Sequence, residues 1–362
     1  MKTNRIKKIA TFCLLSFAAS AAAQNIETVF QDNTYQLTGV AVSKSGRVFT
    51  NYPRWSDTYR NALVEIGKNK SATPFPDINW NTWNVEKGGD KKSHFLCVQA
   101  VVIDDQDTMW VVDAGYAKNA DGDNKGQKLV KINLSDNAVE KVYPLYPVLG
   151  VNSYANDLRV DTKKNIAYLT NSGEGGIVIV DLKSGYIRQV LLKSAATKAD
   201  LSYVMKRNGQ PLLSNGQPFN VNSDGIALSP DDSQLYFKSL TDNKLYRVAT
   251  TDLNNTQLSD SLLLQRVVQV GTFTTTDGMI FDKKGNLYLG DLEKRELIRL
   301  TPQLKQETII PASEDLAWPD SYHITKDGWL YISLSRIDEE ARFHNGADSR
   351  KGPYKIIRLR IE

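Results

Sequence analysis

The chain has 362 residues, with 45 Lys and Arg against 41 Asp and Glu and a formal charge of +4. Lys2, Arg5, Lys7 and Lys8 account for that excess, so the rest is near neutral, and no basic stripe with interleaved aromatics marks a nucleic-acid surface. Only Cys97 lies beyond the first 23 residues, so no intramolecular disulfide is available there and a large apolar core must hold the fold.

Residues 1–23 read as an export signal. A basic start precedes an apolar run over 9–22, and Ala21 and Ala23 fit a small-residue cleavage site before Gln24. The run is short for a membrane span, and no later stretch is apolar enough for one, which predicts a protein that is secreted or periplasmic and not integral to a membrane.

Residues 24–362 carry one unit six times. In each, a short alternating strand meets a polar turn and returns as a second strand. The copies begin at Thr38, Gln99, Asn156, Asp224, Asp277 and Asp320, separated by 61, 57, 68, 53 and 43 residues. Third strands follow near 62–66, 129–132, 177–180, 244–248, 297–300 and 355–359. Repeated antiparallel units without helical connectors predict an all-β, six-bladed β-propeller, because radial closure protects sheet edges. The segment 27–37 is expected to close the ring by pairing beside 355–359. Insertions near 67–95 and 184–222 interrupt the pattern as lids or as surface excursions.

Registering the units aligns their first residues. They should form a polar ring at one mouth of the central channel, with Asn51, Tyr52, Arg54, Trp55, Asp113, Asn171, Glu174, Asp291 and Glu293 around it. The expected ligand contacts are Arg54, Trp55, Gln99, Asp113, Asn171 and Asp320. Asn156, Asp224 and Asp277, from neighbouring copies, offer hard oxygen donors suited to a divalent metal, calcium above all. Trp55, Tyr52 and Trp318 offer an aromatic rim. Asp and Asn also serve as ordinary turn residues that bond their own backbone, and that reading stays open at each position. Cys97, between Leu96 and Val98, reads as a small buried hydrophobe. The 121–126 stretch, Asp-Gly-Asp-Asn-Lys-Gly, resembles part of a calcium loop without its closing Glu. No organic cofactor motif, serine-nucleophile elbow or phosphate loop is present.

Several of these stretches carry a family resemblance. Val98-Gln99-Ala100-Val101-Val102-Ile103-Asp104 with Met109-Trp110-Val111-Val112-Asp113, then Asn156-Asp157-Leu158-Arg159-Val160-Asp161, 224–237, and Trp318-Pro319-Asp320 with Trp329-Leu330-Tyr331, resemble the yellow/major royal jelly protein family in a bacterial form. The resemblance implies a secreted six-bladed propeller in a family of pigment-pathway proteins linked to dopachrome conversion, amine binders and nutritional proteins. More widely the chain is similar to the gluconolactonase/senescence-marker-protein superfamily. That likeness implies a channel metal held by Asn156, Asp224 and Asp277, with Asp277 or Asp224 as catalytic base in lactone hydrolysis. Thr38 stands where the superfamily has a first-blade Glu. The expectations are therefore a metal-assisted hydrolase, a binder of a small aromatic or amine ligand, a dopachrome-conversion-like isomerase, or a protein-interaction scaffold.

Overall fold

The computed structural model describes residues 25–56, 58–83, 89–115 and 124–361. The expected signal peptide and residues 121–123 of the calcium-loop fragment lie outside them. Six four-stranded antiparallel sheets follow in chain order as blades of a propeller. The innermost strands are Ala41–Val42, Val98–Ile103, Ala155–Asp161, Ser223–Leu228, Met279–Phe281 and Pro319–Ile324. The second strands, such as Thr108–Asp113 and Leu287–Asp291, bring the chain back to the face on which the inner strands begin.

Ring closure is as the sequence predicts. Glu27–Asp32 joins the sixth blade as its outer strand, pairing antiparallel with Tyr354–Arg360 in the register Asp32↔Tyr354. Arg358 Nε donates to Glu27 Oε2 at 2.8 Å across the join. Non-covalent closure of this kind suits a chain without disulfides.

Alternation along the strands gives each blade two apolar faces, and these meet the faces of its neighbours. One buried cluster fills each of the six blade interfaces: Phe49 and Phe75 against Val101, Trp110 against Leu158, Tyr168 against Phe237, Leu245 against Met279, Tyr288 against Leu330, and Ile356 against Val40. A seventh cluster lies apart from these. Met205, Leu212, Leu240, Leu292, Trp318 and Ile337 pack together over the channel mouth.

Both expected insertions contain outer strands of the blades. Ala72–Pro74 completes the first blade and Ile187–Val190 the third, so the true excursions are shorter than the sequence suggests. These strands are short and half exposed, which removes the alternation that would reveal them. The second excursion folds into two hairpins, Lys206–Arg207 with Gln210–Pro211 and Leu213–Ser214 with Gln217–Pro218. No helix among the described residues is long and apolar enough to cross a membrane.

Candidate functional site

The ring residues reach the channel because their strands begin irregularly. Register shifts fall at Val98/Ala100, Ala155/Leu158, Ser223/Ile226 and Pro319/Tyr322, each spanning a ring position. A bulge places an extra residue on one strand and re-aims its side chain. In the fourth and fifth blades the ring residue is followed by glycine for a packing reason. A Cβ on Gly225 would lie 2.5 Å from the Asp277 carbonyl oxygen, and one on Gly278 would lie 2.4 Å from that of Asp320. The inner strands approach so closely there that only hydrogen fits.

Above the ring lies a cavity of about 480 Å³. Its floor is acidic, with Asp224 and Asp277 beside Asn156 and Gln99; its walls are Trp55, Tyr154, Trp318 and Phe219. Asn156 Nδ2 donates to Asp224 Oδ2 at 2.7 Å and to Ser172 Oγ at 3.1 Å. Trp318 Nε1 donates to Asp277 Oδ2 at 2.7 Å. On the opposite wall Trp55 Nε1 donates to the Tyr154 hydroxyl, which donates onward to Gln99 Oε1, each at 2.8 Å. Trp318 is buried with φ at 58°, an unusual conformation for a bulky residue that its surroundings must hold.

The charge on the floor is out of balance. Asp224 and Asp277 are 2% and 6% exposed, and Asp224 Oδ1 has no hydrogen-bond donor. The two carboxyls are close enough to share a hydrogen bond if one is protonated. Burial raises both, helped for Asp224 by the negative charges of Asp277 and Asp320; Asp277 is lifted to about 7 against the pull of the Trp318 indole. Asp320, deeper in the ring, is also raised by burial and by Asp277, and its Oδ2 has no partner. The buried Lys238 ammonium donates to the carbonyls of Ser239 and Asp242 at 2.6 and 2.7 Å, with neither carboxylate as a hydrogen-bond partner. Asp277 therefore ionises near neutrality, and the floor then favours a bound cation.

The sequence-predicted residues divide. Asn156, Asp224, Asp277, Gln99 and Trp55 come together around the cavity, while Asp320 lines a narrow space beneath it. Three expected ligand contacts do not line the cavity. Asp113 is fully buried, accepts from the backbone N–H groups of Leu96, Cys97 and Gly115, and pairs with Lys128 at 2.6 Å. Asn171 is likewise buried, holding the Tyr154 N–H at 3.0 Å and Ser153 Oγ at 3.0 Å. Both side chains turn into their own loops because unpaired backbone donors there need acceptors. Arg54 donates to the Trp83 carbonyl at 2.9 Å and stacks over Tyr59 at 4.1 Å, pinning the first excursion outside the cavity.

Sequence reasoning missed Tyr154, Phe219 and Arg342. Tyr154 had a usable signal: it stands two residues before ring residue Asn156, as Trp318 stands two before Asp320. Phe219 and Arg342 had none, since both arrive from irregular connections.

The expected calcium set is brought together, but its donors do not fit the ion. Calcium takes about six to eight oxygens. Here Asn156 presents its NH₂ to Asp224, an indole N–H occupies Asp277 Oδ2, and Thr38 Oγ1 is spent on the Gln99 carbonyl at 3.1 Å. Among the described residues no group of three or more His, Cys, Asp or Glu has metal-holding geometry.

Fold and cavity define a class, the six-bladed propellers with an acid-floored, aromatic-walled chamber at one channel mouth. The major royal jelly protein family model matches residues 96–354, and the chain belongs to that family. It is 24% identical over 228 residues to major royal jelly protein 7 of Apis mellifera, a match covering 60% of this chain and 48% of that protein. With major royal jelly protein 3 of the same organism it shares 27% over 231 residues, covering 60% and 39%. The chain thus spans less than half the length of these relatives. Among solved structures, a gluconolactonase from Xanthomonas campestris superposes with a TM-score of 0.56 at 11% identity, covering 92% of this chain and 89% of that one. A calcium-binding regucalcin from Agrobacterium tumefaciens gives 0.51 at 13%, covering 92% and 93%. Identities this low speak for the shared fold alone.

Proposed function

We propose that the protein is an exported binder of a small aromatic amine, taken in its protonated form at the channel mouth. The observation that carries this reading is the buried Asp224–Asp277 pair, which has no cation as a hydrogen-bond partner and lies beneath Trp55, Trp318, Tyr154 and Phe219. An ammonium would offset the charge of ionised Asp277, and the ring would fill the apolar walls. Cations also gain from aromatic faces, by about 0.5–2 kcal/mol. A chamber of about 480 Å³ suits a ligand of one or two rings.

Titration calorimetry with tryptamine at pH 7.5 tests this. Micromolar or tighter binding is expected, weakened at least tenfold in Asp277→Asn and absent for a neutral indole of the same shape, about 1.4 kcal/mol or more in each case. Equal affinity for amine and neutral analogue would refute it. Affinity should also rise from pH 6 to pH 8 as Asp277 loses its proton.

A second reading, calcium-assisted lactone hydrolysis, is favoured by the juxtaposition of Asn156, Asp224 and Asp277 and by the orphaned Asp224 Oδ1. The hydrogen-bonded donors stand against it. Calcium titration decides, since heat from the wild type that Asp277→Ala abolishes would restore it. Export rests on residues 1–23, and protein recovered from the exported fraction should begin at Gln24.

A further inference from the structure

The excursion over 199–222 leaves the third blade and enters the fourth, yet it is seated on the fifth and sixth. Tyr203 OH donates to Glu293 Oε2 at 2.5 Å, and the Lys206 N–H donates to Glu293 Oε1 at 2.6 Å. Arg207 reaches the Glu293 carbonyl at 3.2 Å and pairs with Glu314 at 2.7 Å. Further along, Phe219 packs on Trp318 and Phe343, with centroids 6.3 and 5.1 Å apart, and the Arg342 guanidinium lies over its ring at 5.3 Å. Phe219 and Val221 thereby become part of the cavity wall.

We infer that this strap is the gate of the ligand chamber, with Glu293 as its latch and Phe219 as the residue that selects a flat ring. The inference rests on the amine-binding reading for its ligand, while the latch stands on the strap's own contacts. Three observations carry it. The floor carboxyls are 2% and 6% exposed, and Phe219 and Val221 of the strap form part of the cavity wall above them, so the strap borders the way in. The strap's strands are paired only two residues at a time, which gives it little ladder to resist opening. Between ends tied by Asp200 to Lys244 and by Asn222 to the Ser172 and Gly173 carbonyls, Glu293 takes a strap donor on each of its two oxygens, so with the Arg207–Glu314 pair it holds the middle of the strap.

Hydrogen exchange and stopped-flow binding of tryptamine, on wild type and Glu293→Gln, test the gate. In the ligand-free variant the amides of 199–222 are expected to exchange about tenfold faster while the blade strands stay unchanged. Association and dissociation rates should rise together about tenfold, with Kd moving less than about threefold. Phe219→Ala should instead speed dissociation alone and reduce the preference for tryptamine over an aliphatic amine. Unchanged exchange in Glu293→Gln, or unchanged rates beside faster exchange, would overturn the gate and leave the strap a fixed roof. If the wild type binds no amine, the amine reading fails by itself, and the exchange arm still judges the latch.

Discussion

At the scale of single residues the site is governed by burial of charge. Asp277 has a folded-state value of about 7, against 3.8 for an unperturbed group, because burial disfavours its ionised form. Between those values the native state holds a proton that the unfolded chain has released. Stability should therefore fall as pH rises through that window, the full cost being present above pH 7 and absent below about 4, with a size of about 2–4 kcal/mol. Asp277→Asn removes the titrating group while leaving an oxygen for the Trp318 indole. The variant is expected to melt higher than wild type at pH 8 and nearly level with it at pH 4.5. Thermal melts across that range check it, and parallel curves would contradict the assignment. Asp224 and Asp277 were legible in the sequence because both open a repeated unit, and the register of six turns aligned them. The direction in which Asp113 and Asn171 turn, away from the cavity, was not legible for the opposite reason. They end second strands, and nothing in their spacing says whether an oxygen faces the channel or turns back to unpaired N–H groups.

At the scale of elements, the inner strand starts decide the chemistry. Their bulges aim the ring residues, and the glycines of the fourth and fifth blades admit neighbouring strands at close range. Gly278→Ala would force a Cβ against the Asp320 carbonyl and separate the fifth and sixth blades at the channel. A loss of about 1–3 kcal/mol is expected in denaturant unfolding. Gly150→Ala, where the added carbon meets only the flexible Glu174 carboxylate at 3.8 Å, should cost less. The Asp-Gly pairs were visible in the sequence but read equally well as turns. Only the adjacent blade, 53 residues onward from Asp224 and 43 from Asp277, shows why glycine is required. The outer strands Ala72–Pro74 and Ile187–Val190 were hidden, because edge strands this short carry no alternation.

At the scale of the whole molecule, stability depends on closing the ring. The outer strand Glu27–Asp32 lends Phe30 to the interface of the sixth and first blades. Phe30→Ala should cost about 3–5 kcal/mol if the cavity it leaves does not collapse. Glu27→Ala, which removes the partly exposed ion pair with Arg358, should cost about 1 kcal/mol or less. Equal effects would mean that the join is not held by packing.

The sequence by itself determined the periodicity, and with it the six blades, the closure strand and the ring of first residues. These follow from alternation and turn chemistry, which are local and repeat. The tertiary structure alone decided which polar groups face the chamber, that Asp224 and Asp277 share one buried space, and that the 199–222 strap roofs it. Those outcomes depend on contacts between residues tens to hundreds of positions apart, where no local pattern can report the direction of a side chain.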